Sequence, residues 1–248
     1  MAKQKLKVIK MSETNPKLVG SNIIDCIPQT GECPLHCGGK EECFYNGGKF
    51  YRSTDKPLFP KPSDTKGKIV RVNSGHDSNI DREYVILCTS ALYPNRFYNT
   101  SIPNFNFPAP VVFTCNGRKL ILAEKGLENV MFVRIRTSLF NLKEVDKAIQ
   151  FYLTEHKVPV VLTFMRYYKE ESIPEEFRQF YEFKKHVLNS YYCLTREGHI
   201  QIMEKYKGTG VRMCGTLTSS LCVDCRNCEL LYWEHMAKNV IGNVMTKC

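Results

Sequence analysis

Several things that would have settled a class are missing from this chain. No apolar run approaches the roughly 18 residues that a membrane-crossing helix needs. The basic N-terminus, M-A-K-Q-K-L-K-V-I-K-M-S, has no apolar core and no small-residue cleavage site, so secretion is not indicated. A reducing cytoplasm is the expected location. Acidic residues are in deficit, 25 against 35 lysines and arginines, for a net charge of +10. Such a surplus raises nucleic acid as a partner. The charge is spread out, however, with small groups at Lys3, Lys5, Lys7, Lys10 and at Lys56, Lys61, Lys66, Lys68. There is no long basic run and no known nucleic-acid motif, so this partner is not favoured. Hydrophobic content of 43% is ordinary for a chain that buries a full core.

Cysteine is what the chain has in excess. Eight of the 12 cysteines fall into two groups, Cys26, Cys33, Cys37, Cys43 and Cys214, Cys222, Cys225, Cys228. The spacings are C-x6-C-x3-C-x5-C and C-x7-C-x2-C-x2-C. In a reducing compartment, clustered cysteines favour metal over disulfides. Short loops between thiolates suit a metal ion or a metal–sulfur cluster, because each ligand must reach one small centre. Cys33, Cys37 and Cys43 form a tight trio. Three thiolates on a [4Fe–4S] cube leave one iron open to a substrate or cofactor. Cys26 either closes that site or merely stands near it. Four thiolates in the second group can close a [4Fe–4S] cluster that is structural or relays electrons. Its C-x2-C steps also suit tetrahedral zinc. Cys88, Cys115 and Cys193 read as buried core residues, and Cys248 as terminal.

The chain divides into a polar arm (1–20), a first cluster loop (21–50), a connector (52–67), a barrel-like region (68–213) and a C-terminal cluster segment with a helix (214–248). Strands are expected at 68–73, 111–114, 131–136, 158–164, 191–194 and 211–213. Helices are expected at 79–92 (apolar face Ile80, Tyr84, Leu87, Ala91), at 141–155 (N-cap Asn141) and from the Ser172-x-x-Glu175 box to about 188. Two more are expected after Thr195 and at 230–244. This alternation predicts an α/β fold, a partial or irregular TIM-like (β/α) barrel, with an open doubly wound sheet as runner-up. In either fold, ligands bind at the carboxyl ends of the strands. There the sequence places Asn73, Ser74, His76, Asp77, Thr114, Arg136, Thr163 and Arg166. Ser74, His76, Asp77 and Arg136 are the candidate cofactor-binding residues. A plain polar turn is the competing reading of His76 and Asp77. Arg134 and Arg136 share one strand face and call for an anionic partner if that face is interior.

The trio, followed by Phe44-Tyr45 and placed ahead of the barrel strands, resembles the radical S-adenosylmethionine (SAM) superfamily. That family's usual spacing is C-x3-C-x2-C, whereas the last gap here is five. Cys43-Phe44-Tyr45, the turn Asn73-Ser74-Gly75-His76-Asp77 and Cys222-Val223-Asp224-Cys225-Arg226-Asn227-Cys228 together resemble phage-encoded, radical-SAM-like iron–sulfur proteins. The resemblance implies two [4Fe–4S] clusters, possible SAM binding, an electron donor or small-molecule substrate as partner, and a host-cell cytoplasmic location. Electron transfer, redox sensing or sulfur-species binding without SAM is the alternative. A zinc-stabilised nucleic-acid-binding protein is the second alternative.

Overall fold

The computed structural model describes residues 15–30, 33–35, 56–116, 121–185 and 190–245. Cys37, Cys43 and Cys248 lie outside the described residues, as does most of the first cluster loop.

Seven strands form one sheet: β1 (Ile23–Cys26), β2 (Ile69–Val72), β3 (Arg96–Thr100), β4 (Val111–Cys115), β5 (Val130–Thr137), β6 (Val160–Phe164) and β10 (Arg212–Met213). The order is sequential and every pairing is parallel. The sheet curls into a half-barrel that does not close, since β1 and β10 remain its two edges. The fold is therefore mixed α/β and compatible with a partial (β/α) barrel. The sheet begins at Ile23, inside the segment expected to be a cysteine loop, and not at residue 68.

Helix α1 (Arg82–Ser90) follows β2 and helix α2 (Leu142–Ile149) follows β5. A π-helical stretch continues α2 through Gln150–Glu155. Between β6 and β10 lie a small antiparallel sheet and helix α3 (Arg196–Lys205). The small sheet has the order β7 (Arg166–Tyr167), β9 (Tyr191–Leu194), β8 (Tyr181–Lys184). No crossover helix is described between β3 and β4. Pro103, Pro108 and Pro110 exclude one there. Phe105 and Phe107 take its place on the outer face. Phe107 stacks on Tyr98 at 4.6 Å, and Phe105 meets Phe113 edge-on at 5.1 Å.

Alternation along the strands gives two cores. Val70, Val72, Phe113, Val133, Ile135, Val160 and Leu162 point outward onto α1 and α2. Ile23, Ile69, Phe97, Val112, Phe132 and Val161 point inward. They are met there by Leu231 and Tyr232 of helix α5 (Asn227–Met245). Cover on both faces explains why β3 and β4 are buried along their whole length.

Two local expectations are corrected and a third is met only in part. Helix α1 buries Val85 and Thr89, while Tyr84 and Leu87 are 46% and 78% exposed. Thr89 fixes this face by bonding the Val85 carbonyl and the Tyr98 hydroxyl, at 2.7 and 2.9 Å. Asn141 stands at the N-cap of α2 as expected, but its side chain makes no cap bond there; its Oδ1 instead accepts the Ser138 amide at 2.8 Å. The helix expected from Ser172 to about 188 is instead a 3-10 turn, Glu175–Phe180, followed by β8. Pairing of β8 with β9 overrides the local capping signal there. Thr195 does cap α3, accepting the Gly198 amide at 3.2 Å.

Gly198 marks where α3 presses on the small sheet. A Cβ at this position would lie 2.9 Å from Leu194 Cδ2 and 3.1 Å from the Phe180 carbonyl oxygen. Gly198→Ala is expected to cost about 1–3 kcal/mol through this overpacking, despite alanine's better helix propensity. Urea unfolding measures it, and an unchanged or raised midpoint would show that the contact relaxes freely.

Candidate functional site

The inner face of the half-barrel changes character along each strand. Near the amino ends it is apolar; one or two alternations further it is polar. Ile23 gives way to Asp25, Ile69 to Arg71 and Asn73, and Phe97 to Asn99. Likewise Val112 gives way to Thr114, Phe132 to Arg134 and Arg136, and Val161 to Thr163. The parallel register aligns these residues: Asp25 with Arg71, Thr114 with Arg134, Arg136 with Thr163. A cavity of about 200 Å³ sits over this polar tier, at the carboxyl edge.

The cavity gathers residues that are far apart in the chain. Asn15, Pro16 and Lys17 line it, with Cys33, Asn73, Ser74, His76, Asp77, Arg134, Arg136 and all four C-terminal cysteines. Of the described candidates, only Cys26 and Arg166 are not among its lining residues. Cys26 ends β1 with its side chain fully buried in the outer core, beside Tyr93 and Cys88. Burial, and then the Asp25 charge, push its thiol up. Arg166 lies over the Tyr191 ring at 4.6 Å. Cys115 is core as expected, while Cys88 and Cys193 are only half-buried.

The C-terminal group is built by short, well-anchored turns. Cys214 follows β10, and its amide bonds the Leu162 carbonyl at 2.8 Å. Gly215 then turns with φ 89°, where a Cβ would lie 2.9 Å from the Ser219 carbonyl oxygen. Only glycine fits there without strain. Cys222 and Cys225 bracket the single-turn helix α4 (Cys222–Cys225), and Arg226 ends it with φ 50°. Asn227 Nδ2 bonds the Met213 carbonyl at 2.6 Å, tying the turn back to β10. Cys228 opens α5.

The thiols are not equivalent. Cys214 and Cys225 are hydrogen-bonded to each other, and the Cys225 sulfur also accepts the backbone N–H groups of Asn227 and Gly215. The Cys225 bond and the nearby charges of Lys17 and Arg134 hold Cys214 well below the usual thiol range. Sharing that proton pushes Cys225 up. Burial raises Cys222, and raises Cys228 to about 11. In the metal-free protein at pH 7, Cys214 is therefore expected to react with iodoacetamide before the other three, because the thiolate is the nucleophile. Peptide mass mapping reads the order. Earlier labelling of Cys225 would reverse the assignment of the shared proton.

The cavity is cationic. Arg71 is paired with the buried Asp25 at 3.1 Å. Arg134 donates to Asn99 Oδ1 at 3.4 Å and lies 5.7 Å from the Phe132 ring. It also lies near the Cys214, Cys222 and Cys228 thiols. Asp77 is occupied structurally. Its carboxylate accepts from Thr100 Oγ1 at 2.7 Å, from the Asn79 amide at 2.9 Å and from the Ser101 amide, clasping the β2 loop to the end of β3. Burial raises its pKa, and these donors oppose the rise. Asn73, with φ 58°, is 1% exposed; its Nδ2 bonds Gln29 and Ser78, and its Oδ1 has no hydrogen-bond partner among the described residues.

Among the described residues, no three His, Cys, Asp or Glu side chains converge tightly enough to hold a single metal ion. Four thiols nevertheless line the one cavity, with N–H donors on the Cys225 sulfur and cations nearby. Lys17, Arg71, Asn99 and Phe132 were missed as site residues. The Val-Arg-Val alternation signals Arg71, whereas nothing near Lys17 marks it.

No family model matches the chain, and no curated protein or solved structure matches it either.

Proposed function

We propose that this is an iron–sulfur protein carrying two [4Fe–4S] clusters on a radical-SAM-like half-barrel. Cys33, with Cys37 and Cys43, would hold the N-terminal cluster, whose open iron takes SAM or a substrate. Cys214, Cys222, Cys225 and Cys228 would hold the C-terminal, closed one. The observation that carries this reading is that Cys33 and the four C-terminal cysteines line one cavity at the carboxyl edge of the sheet. Tetrahedral zinc on the C-x2-C steps is the competing occupant of the C-terminal group. When bound, a cluster with an open iron supplies an electron to the ligand held there. The chain's own residues do the rest. Arg134 and Lys17 offset the thiolate charge, and Arg136 faces the anionic end of a ligand. The Asp77 clasp fixes the loop that carries Ser74 and His76. A protein that binds a sulfur species or transfers electrons without SAM is the second reading, favoured by the five-residue gap between Cys37 and Cys43.

Iron, acid-labile sulfide and zinc counts on anaerobically purified protein, with EPR spectra before and after SAM, test the proposal. About eight irons and eight sulfides per chain with a SAM-dependent spectral shift are expected. The same iron without the shift selects the non-SAM reading. Zinc with little iron overturns both and redirects the search to nucleic-acid partners.

A further inference from the structure

The small antiparallel sheet has an unused edge. Its order is β7-β9-β8, so among the described strands β8 borders on β9 alone. Register fixes which of its backbone groups are engaged. The Thr195 amide bonds the Phe180 carbonyl at 2.8 Å, and hydrogen-bonded pairs recur at every second residue of an antiparallel ladder. Glu182 and Lys184 therefore exchange bonds with Cys193 and Tyr191, and the N–H and C=O of Phe183 point away from β9. The Tyr181 amide points the same way but is taken by the Arg178 carbonyl. The Phe183 groups and the Tyr181 carbonyl are left as a short template for another strand.

The side chains decide which strand fits. Phe183 is 54% exposed, although its ring packs on Tyr192 at 5.1 Å. It stands at the open border of the sheet face that buries Tyr181 and Leu194. Glu182 and Lys184 project from the opposite face, 45% and 49% exposed and paired with each other at 2.8 Å. They flank Phe183 symmetrically with opposite charge. An antiparallel copy of the strand, related by a two-fold axis at Phe183, sets Glu182 of each chain directly across from Lys184 of the other. These are the non-hydrogen-bonded positions of the ladder, where side chains come closest and opposite charges stabilise the pairing.

We infer that β8 is a self-association edge, pairing antiparallel with β8 of a second copy of this chain. The two Phe183 residues exchange N–H···O bonds at the axis, and their rings carry the apolar face across it. The contact is isologous and small, so the dimer is weak, with a Kd on the order of 100 μM. It lies apart from the cysteine-lined cavity and does not depend on what that cavity holds.

Sedimentation equilibrium on the full chain as purified tests this, at about 0.15 M salt to screen the +10 charge of each copy. A concentration-dependent dimer is expected. Lys184→Glu and Glu182→Lys should each weaken it about tenfold, because each sets like charges across from one another on both sides of the axis. An equimolar mixture of the two variants should regain the original association, since an acidic strand then faces a basic one. Misfolded variants would not be rescued by mixing. A monomer at every concentration up to about 1 mM overturns the inference. So does a dimer that neither charge change weakens, or a loss that mixing does not restore.

Discussion

If the chain carries the two proposed clusters, Cys225→Ser should purify with about four of eight irons missing, because a closed cluster that loses one thiolate ligand loses its hold on the chain. Cys225 is the central test because it touches Cys214 and accepts two backbone N–H bonds, the most committed geometry of the four. Serine keeps the shape and nearly the hydrogen bonds but is a far poorer iron ligand. Cys193→Ser is the matched control. It lies in the small antiparallel sheet, away from the cavity, and should leave iron and sulfide unchanged. Full iron content in Cys225→Ser would dismantle the C-terminal assignment. Cys26→Ser should likewise retain its iron, since Cys26 sits in the outer core.

Asp25→Ala should destabilise the fold by about 3–5 kcal/mol, the range for breaking one side of a buried ion pair. Asp25 and Arg71 are 1% and 7% exposed, and the pair joins β1 to β2 across the polar tier. Asp25 also accepts the Asn15 amide at 2.9 Å, so the same change releases the segment that carries Lys17 to the cavity. Chemical denaturation of the metal-free protein measures the loss. The double variant Asp25→Ala with Arg71→Met should recover much of it, because no charge is then left buried. A single-variant loss below about 1 kcal/mol would mean that the pair is not a stability element.

The strands with continuous apolar runs were legible because burial on both faces leaves a strong mark on sequence. Val111–Cys115 and Val130–Thr137 fall within a residue or two of expectation. The polar carboxyl edge was legible for the same reason, since Arg134 and Arg136 alternate with Val133 and Ile135. Other elements hid behind composition. Ile23–Cys26 was absorbed into a cysteine-rich stretch, yet two isoleucines there pair with β2. Arg-Phe-Tyr-Asn-Thr, residues 96–100, carries too many polar groups to read as a central strand. Its arginine is satisfied by Tyr98, Tyr93 and Ser90, contacts that only the folded chain supplies. The place of Cys33 beside the four C-terminal cysteines was equally hidden, because it follows from the fold and not from spacing.

Helix α5 has a consequence for how the molecule is made. It is synthesised after all seven strands, yet it supplies Leu231 and Tyr232 to the inner core. During translation the strands emerge with a greasy concave surface that nothing in the nascent chain can yet seal. That surface is a target for holding chaperones and for mispairing until the ribosome delivers the helix. On the iron–sulfur reading, metal loading would inherit the same timetable. The C-terminal thiols arrive just ahead of the helix that shuts the barrel floor, so maturation and final closure are expected to be one late event.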